Sequence, residues 1–123
     1  IYLTHWNGPD GFPLVNGDSG TSAPLMLSTG SVHRFRFINI GPANRYRFSI
    51  RQDSTLVKWN PRAKDGADLS AALHGEMPAS FVIDVGETYD FDYTAPSQPG
   101  TYELVLTTPN GQLTGWRQKL VVR

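Results

Sequence analysis

Histidine is the side chain best suited to binding a metal or moving a proton at neutral pH, and this sequence has His5, His33 and His74. They lie far apart along the chain, at spacings that match no common arrangement of metal ligands. The 123 residues contain no cysteine. This excludes disulfides, zinc–thiolate sites, iron–sulfur clusters and blue-copper thiolate sites. We therefore predict that this chain holds no metal or other cofactor.

Acidic and nucleophilic residues do not predict a catalytic site either. The sequence has no Gly-x-Ser-x-Gly motif of the kind found in serine hydrolases. Asp65, Asp68 and Glu76 lie near one another, but their spacing does not match a calcium loop with its closing bidentate glutamate. We interpret Asp65-Gly66 as a turn and predict no catalytic residue in the chain.

Charge narrows the choice of partners. The 11 basic and 11 acidic residues give a formal net charge of zero, which argues against a nucleic-acid or membrane-surface partner, because both require a basic surface. Two segments, 33–39 and 45–51, alternate arginines with apolar and aromatic residues. In a strand, the rings and the arginines then lie on opposite faces, so the rings cannot stack on bases beside the arginines.

Aromatic residues beside turns are the candidates for contact with another domain. Trp6 and Trp116 each lie next to a glycine-containing turn, and His5 precedes Trp6. We therefore predict His5, Trp6 and Trp116 as domain-interface residues, with either tryptophan exposed or buried in the isolated domain. Trp59 lies in an alternating segment and is expected in the core.

The elements that position these residues are strands. Period-two alternation is nearly everywhere and helical periodicity is almost absent. About eight short strands separated by turn residues predict an all-β sandwich or barrel, in one domain over 1–123. Because the chain opens at Ile1 inside a predicted strand, we expect a piece of a larger protein. Phe35, Phe37, Tyr46, Phe48 and Ile50 are expected to face the core.

The irregular segments are predicted from turn residues and proline. Loops are expected over 7–11 and over 19–24. Pro61 is expected to end the strand that begins at Leu56, because proline cannot donate to a ladder. Residues 62–79 form one long connection, with a helical turn capped by Asp68.

The order of these segments resembles the cupredoxin domains of multicopper oxidases over nearly the whole chain. Such domains have a strand ending in an Asn-Gly turn, a "gly-x-x-x-arg-x-arg-x-ile-asn" strand, a "trp-x-x-x-ala-x-asp-gly" segment and a "gly-glu-x-tyr-asp-phe" strand. The corresponding residues here are Val15-Asn16-Gly17, Gly30 with Arg34 to Asn39, Trp59 with Ala63 to Gly66, and Gly86 to Phe91. The resemblance implies a cupredoxin-like Greek-key fold.

The resemblance also implies where copper would bind in such a domain. A blue-copper site would take a histidine from the loop 39–44, and cysteine, histidine and an axial methionine from the loop 107–115. Neither loop has any of these residues, and the chain has no His-x-His pair of the kind that binds trinuclear copper. The chain therefore looks similar to a copper-free domain that packs against a copper-bearing neighbour in a periplasmic or secreted bacterial protein.

Two further expectations follow from that reading. If strand 87–93 neighbours strand 33–39, as in cupredoxins, Arg34 and Arg36 face Asp90 and Asp92 as exposed cross-strand pairs. The resemblance implies copper elsewhere in a parent protein, which would resemble a copper-dependent oxidoreductase. The alternatives are an immunoglobulin-like or carbohydrate-binding sandwich on an exported protein, and an enzyme whose site forms only between this domain and a neighbour.

Overall fold

The structure is a computed structural model that describes residues 1–7 and 12–123. The predicted loop at 7–11 thus lies outside the described residues, apart from Asn7 at the end of a strand. The strands are β1 (Tyr2–Asn7), β2 (Phe12–Val15), β3 (Thr21–Leu27), β4 (Val32–Asn39), β5 (Tyr46–Gln52), β6 (Thr55–Leu56), β7 (Lys58–Lys64), β8 (Ala67–Asp68), β9 (Met77–Pro78), β10 (Ser80–Ile83), β11 (Thr88–Thr94), β12 (Gly100–Thr107) and β13 (Leu113–Val122). Helical structure among these residues is limited to one 3-10 turn, Ala71–Leu73.

The strands form two sheets that face each other as a sandwich. The seven-stranded sheet has the order β2-β1-β4-β11-β7-β8, with β9 also paired to β7. The six-stranded sheet has the order β10-β5-β12-β13-β3, with β6 paired to β5. Most pairs are antiparallel, but β1 runs parallel to β4 and β3 runs parallel to β13. The predicted all-β sandwich is confirmed, in the open form and not as a closed barrel.

The core lies between the sheets and is mostly aromatic. Phe37 is fully buried and its ring lies 4.5 Å from that of Phe48 and 5.1 Å from that of Phe81, centroid to centroid. Trp59 stacks on Phe91 at 4.1 Å. Full burial of one such side chain stabilises the fold by roughly 1.5–3 kcal/mol. The predicted inward positions of β4 and β5, and the core position of Trp59, are confirmed.

Two strands are longer than predicted because a bulge accommodates a proline. β7 continues through Pro61, which pairs with Phe91, while the next ladder pair joins Ala63 to Asp90. Arg62 is therefore the extra residue of a bulge. Proline is tolerated beside a bulge, because the ladder of hydrogen bonds is already interrupted there. β3 begins at Thr21 in the predicted loop, and its register with β13 skips Pro24. β3 is an edge strand, where a missing N–H costs little.

The segment 62–79 has more regular structure than predicted. It contains the end of β7, the short strands β8 and β9, and the 3-10 turn. The residue before that turn is Ser70, without a side-chain cap, and Asp68 is part of β8, where it pairs with Ala63. The predicted capping by Asp68 was wrong, because the backbone of Asp68 pairs with β7 and Ser70 is the residue before the 3-10 turn.

Candidate functional site

Two loops meet beside each other at one end of the sandwich. One follows β4 and covers 40–45, and the other follows β12 and covers 108–112. Together with the end of β1 and the start of β2 they form a cleft of about 430 Å³. Its lining residues are Trp6, Pro13, Asn44, Arg45, Tyr46, Thr108, Pro109 and Thr114. The resemblance assigns copper ligands to these same two loops, so this cleft is the candidate site.

Asn39 positions the first loop. Its side chain is fully buried, and its Nδ2 donates a 2.9 Å hydrogen bond to the carbonyl oxygen of Asn44. Its Oδ1 accepts a 3.0 Å bond from the backbone N–H of Gly41. One amide thus satisfies two backbone groups that the loop would otherwise leave unpaired. The backbone of Asn39 also pairs with Gly86 and Glu87 in the turn before β11.

Arg47 and Thr108 position the second loop. The backbone N–H of Thr108 donates to the carbonyl of Gln112 at 2.9 Å, and its Oγ1 accepts from the N–H of Gln112 at 3.1 Å. Arg47 Nε donates to the carbonyl of Pro109 at 3.2 Å, and Nη1 donates to Ser80 Oγ at 3.0 Å. Arg47 was predicted only to face water. It instead fastens a cleft loop to the six-stranded sheet.

The side chains in the cleft are suited to docking, not to metal binding. Trp6 is half-buried and Arg45 is exposed. Tyr46 is 5% exposed, and its hydroxyl has no hydrogen-bond partner among the described residues. Burial raises the pKa of Tyr46, so this phenol stays protonated and able to donate. An indole and an exposed guanidinium offer apolar contact and hydrogen bonds, whereas copper needs imidazole, thiolate or thioether ligands. The cleft therefore does not fit copper.

The three residues predicted at a domain interface are not brought together. Trp6 lines the cleft. His5, its neighbour on β1, points to the other face of the strand and is half-buried. Trp116 is 2% exposed, and its Nε1 donates to Ser22 Oγ at 3.0 Å in the core. An exposed Trp116 is therefore ruled out in this chain, because β13 turns its ring inward against Tyr2 and Phe48.

His74 belongs to a polar network that the sequence did not reveal. Its Nε2 lies 2.8 Å from the carbonyl oxygen of Leu69, and its Nδ1 lies 2.9 Å from Arg62 Nη1. A carbonyl only accepts, so Nε2 carries the proton and Nδ1 accepts from Arg62. Arg62 Nε in turn donates to Asp92 Oδ2 at 2.5 Å, and Arg34 Nε donates to Asp92 Oδ1 at 3.4 Å. This network ties the 69–74 segment to the seven-stranded sheet.

No cluster of metal ligands accompanies these histidines in the described ranges. His33 Nε2 lies 2.6 Å from Ser31 Oγ, which is a local contact. Within residues 1–7 and 12–123, no group of three histidine, cysteine, aspartate or glutamate side chains is placed to hold a metal ion. In those ranges no helix is long and apolar enough to cross a membrane.

Comparison with solved structures defines the fold class as cupredoxin-like. The copper-containing nitrite reductase of Thermus scotoductus SA-01 matches with a TM-score of 0.76 at 14% identity, over 99% of this chain and 30% of that protein. A multicopper oxidase matches with a TM-score of 0.75 at 15% identity, over 99% of this chain and 42% of that one. The laccase-like multicopper oxidase CueO of Ochrobactrum sp. matches with a TM-score of 0.69 at 17% identity, over 99% and 30%.

These matches concern the fold. The chain spans between 30% and 42% of the length of these three proteins. It has the fold of a single cupredoxin domain of multicopper oxidases and copper nitrite reductases, as the order of its motifs predicted. No family model and no curated protein sequence matches the chain.

Proposed function

We propose that this chain is a structural, copper-free cupredoxin domain that packs against a copper-bearing cupredoxin domain in a larger, exported multicopper-oxidase-like protein. The observation that carries the proposal is the cleft between the loops 40–45 and 108–112. These loops meet where the resemblance places a blue-copper site, yet their side chains offer no ligand for copper. A cupredoxin fold whose two loops lack copper ligands is what we expect of a supporting domain.

The cleft also supports the packing role. Trp6 lies half-buried there, and tryptophan and arginine are enriched where proteins bind one another. Arg45 at the rim is exposed and offers a charged donor. A partner loop inserted into the cleft would cover the indole and bring an acceptor to that guanidinium. The carbohydrate-binding alternative gains no support, because Trp59 and Trp116 are buried in the core and form no exposed row of aromatic side chains. The immunoglobulin-like alternative gains none either, because the fold matches copper nitrite reductase and multicopper oxidase over 99% of the chain.

Copper titration of this chain by calorimetry tests the copper-free part. We expect only weak binding without a defined stoichiometry at neutral pH, and no blue absorption with Cu(II). A copper-bearing cupredoxin, stripped of metal and titrated in the same buffer, serves as the positive control. Tight binding of one copper ion per chain would overturn this part of the proposal.

The packing part is tested with the copper-bearing domain of the parent protein added in trans. Amide chemical shifts of the labelled chain should change around Trp6, Asn44 and Thr108. The variant Arg45→Glu should weaken the complex about tenfold or more, since a rim charge is reversed. Arg123→Glu makes the same charge change beyond the far end of β13 and is the matched control. Equal losses in both variants, or shift changes remote from the cleft, would refute packing at this site.

A further inference from the structure

The two sheets carry their positive charges differently. Every lysine and arginine in the strands of the seven-stranded sheet is within 4.0 Å of a carboxylate; these residues are Arg34, Arg36, Lys58, Arg62 and Lys64. The strands of the six-stranded sheet carry Arg47, Arg51, Arg117 and Lys119. Among the described residues, none of these four has a carboxylate within that distance. The net charge of zero therefore conceals a basic surface.

The register places these four cations together on the outer face of the sheet. They alternate with buried residues such as Ile50 and Leu120 and therefore point away from the core. On the central strand β12, Glu103 pairs with Arg51 on one side and Lys119 on the other. Neighbouring strands lie about 4.8 Å apart, so these two cations are about 10 Å apart on a flat face. Glu103 is the one acidic residue among the described strands of this sheet, which leaves three positive charges in excess.

A groove of mixed apolar and basic lining runs through this basic face. It has a volume of about 250 Å³ and is lined by Arg51, Val105, Leu113, Gly115, Trp116 and Arg117. Val105 points away from the core and is nevertheless 2% exposed, since the long stems of neighbouring side chains cover it. Leu113 is 71% exposed at the edge of the groove. An exposed leucine beside a groove with basic walls has the anatomy of a protein interface.

We propose that the outer face of β5, β12 and β13, which we call the basic face, docks the acidic surface of a partner protein, with an apolar partner side chain in the groove between Arg51 and Arg117. The partner's carboxylates pair with Arg51, Arg117 and Lys119 and would supply the counter-charges that this sheet lacks. A nucleic acid fits less well, because no aromatic side chain among the described residues is exposed on this face for base stacking. The proposal does not depend on the cleft or on the absence of copper.

The test uses a short peptide of alternating glutamate and leucine as the probe and the full chain as the target. Amide shift changes should map to β5, β12 and β13. Affinity should fall strongly when ionic strength is raised from about 0.05 to about 0.5 M, because exposed ion pairs are screened. The double variant Arg51→Glu/Arg117→Glu should weaken binding about a hundredfold, and Leu113→Ser about threefold to tenfold.

Two controls make the result decisive. Lys58→Glu/Lys64→Glu changes the net charge by the same amount on β7 of the seven-stranded sheet and should leave the affinity within about twofold. Thermal unfolding checks that each variant is folded, and Arg117→Gln, at an exposed position, serves if the double variant is not. Equal weakening by the control pair would overturn the proposal. So would a single-stranded oligonucleotide that binds the face as tightly as the peptide, since charge alone would then explain binding.

Discussion

The guanidinium of Arg36 holds the carboxylate of Asp90 through two parallel hydrogen bonds, each 2.8 Å long. Asp90 is only 2% exposed, whereas the side chain of Arg36 is 46% exposed. The hydrogen bonds and the charge of Asp90 raise the pKa of Arg36 above its ordinary value. Arg34 and Arg36 were predicted to face Asp90 and Asp92, which is confirmed, and the register pairs Arg36 with Asp90 and Arg34 with Asp92. The expected exposure of Asp90 was wrong, because β11 lies between β4 and β7 within the sheet.

Replacing Arg36 by methionine should destabilise the fold more than replacing Arg34. Arg36→Met leaves a buried carboxylate without its bidentate partner. Arg34→Met leaves Asp92 with Arg62, which still donates to its Oδ2. Urea unfolding of the two variants checks the order. A larger loss of unfolding free energy for Arg34→Met would contradict the conclusion that Asp90 is the buried carboxylate and needs Arg36 as its partner.

Asn39→Ala should cost about 2–3 kcal/mol of unfolding free energy, because it removes a buried amide that satisfies Gly41 and Asn44. The loop 40–45 should also lose its single conformation, visible as broadened amide signals there. Asn110→Ala, at an exposed turn position, is the control and should stay within about 0.5 kcal/mol. Equal effects of the two substitutions would show that Asn39 does not hold the loop.

The imidazole of His74 should be in the Nε2–H tautomer, because Leu69 offers it only a carbonyl oxygen and Arg62 offers it only a donor. Long-range proton–nitrogen correlation spectra distinguish the two tautomers directly. His74→Asn keeps an acceptor for Arg62 but loses the bond to Leu69, and should speed hydrogen exchange in 69–74. Observation of the Nδ1–H form at neutral pH would refute the network as described.

The free energy of unfolding should fall steeply at alkaline pH. Burial raises the pKa of Tyr2 and of Tyr93 to about 12, and Tyr102 nearby adds to the effect on Tyr93. Unfolded tyrosines ionise near pH 10, so the contribution of these phenols is complete below about pH 10 and is lost as the pH rises towards 12. Urea unfolding between pH 8 and about 12 measures the slope.

Two phenylalanine variants distinguish the contribution of Tyr93 to the free energy of unfolding from that of Tyr2. Tyr93 has a buried hydroxyl without a described partner, so Tyr93→Phe should be neutral or slightly stabilising at pH 7 and should flatten the alkaline slope. The Tyr2 hydroxyl donates to Gln118 Oε1 at 2.7 Å, so Tyr2→Phe should cost about 1 kcal/mol at pH 7. A loss of stability in Tyr93→Phe equal to that in Tyr2→Phe would contradict this difference.

The motifs that carried the resemblance prove to be structural. Arg36 and Asp90, which belong to two of the motifs, bind each other. Asn39 holds the loop 40–45. Glu87 accepts a 2.7 Å hydrogen bond from the backbone N–H of Asp84 and closes a turn. Such residues are predictable from sequence because alternation and turn chemistry act over a few positions. This explains why the sheet faces and the core could be predicted.

Other features depend on pairing between distant strands and could not be predicted from local pattern. The bulge at Arg62 aims its guanidinium at Asp92 and His74, which a strand ending at Pro61 would not do. The cleft depends on loops far apart in sequence meeting at one end of the sandwich. The burial of Trp116 depends on the register of β13 with β3. The glycine before it suggested a turn, whereas β13 begins before that glycine, at Leu113.

The parallel pairing of β3 with β13 has a consequence for synthesis on the ribosome. β3 hydrogen-bonds to no other described strand of its sheet, and its partner residues are 117–122. A nascent chain therefore holds Leu25 and Leu27 without their final neighbours until nearly the whole domain has emerged from the exit tunnel. We expect the sheet to close only after translation of β13, so that truncation within the last strand leaves an early segment open to chaperones and proteases.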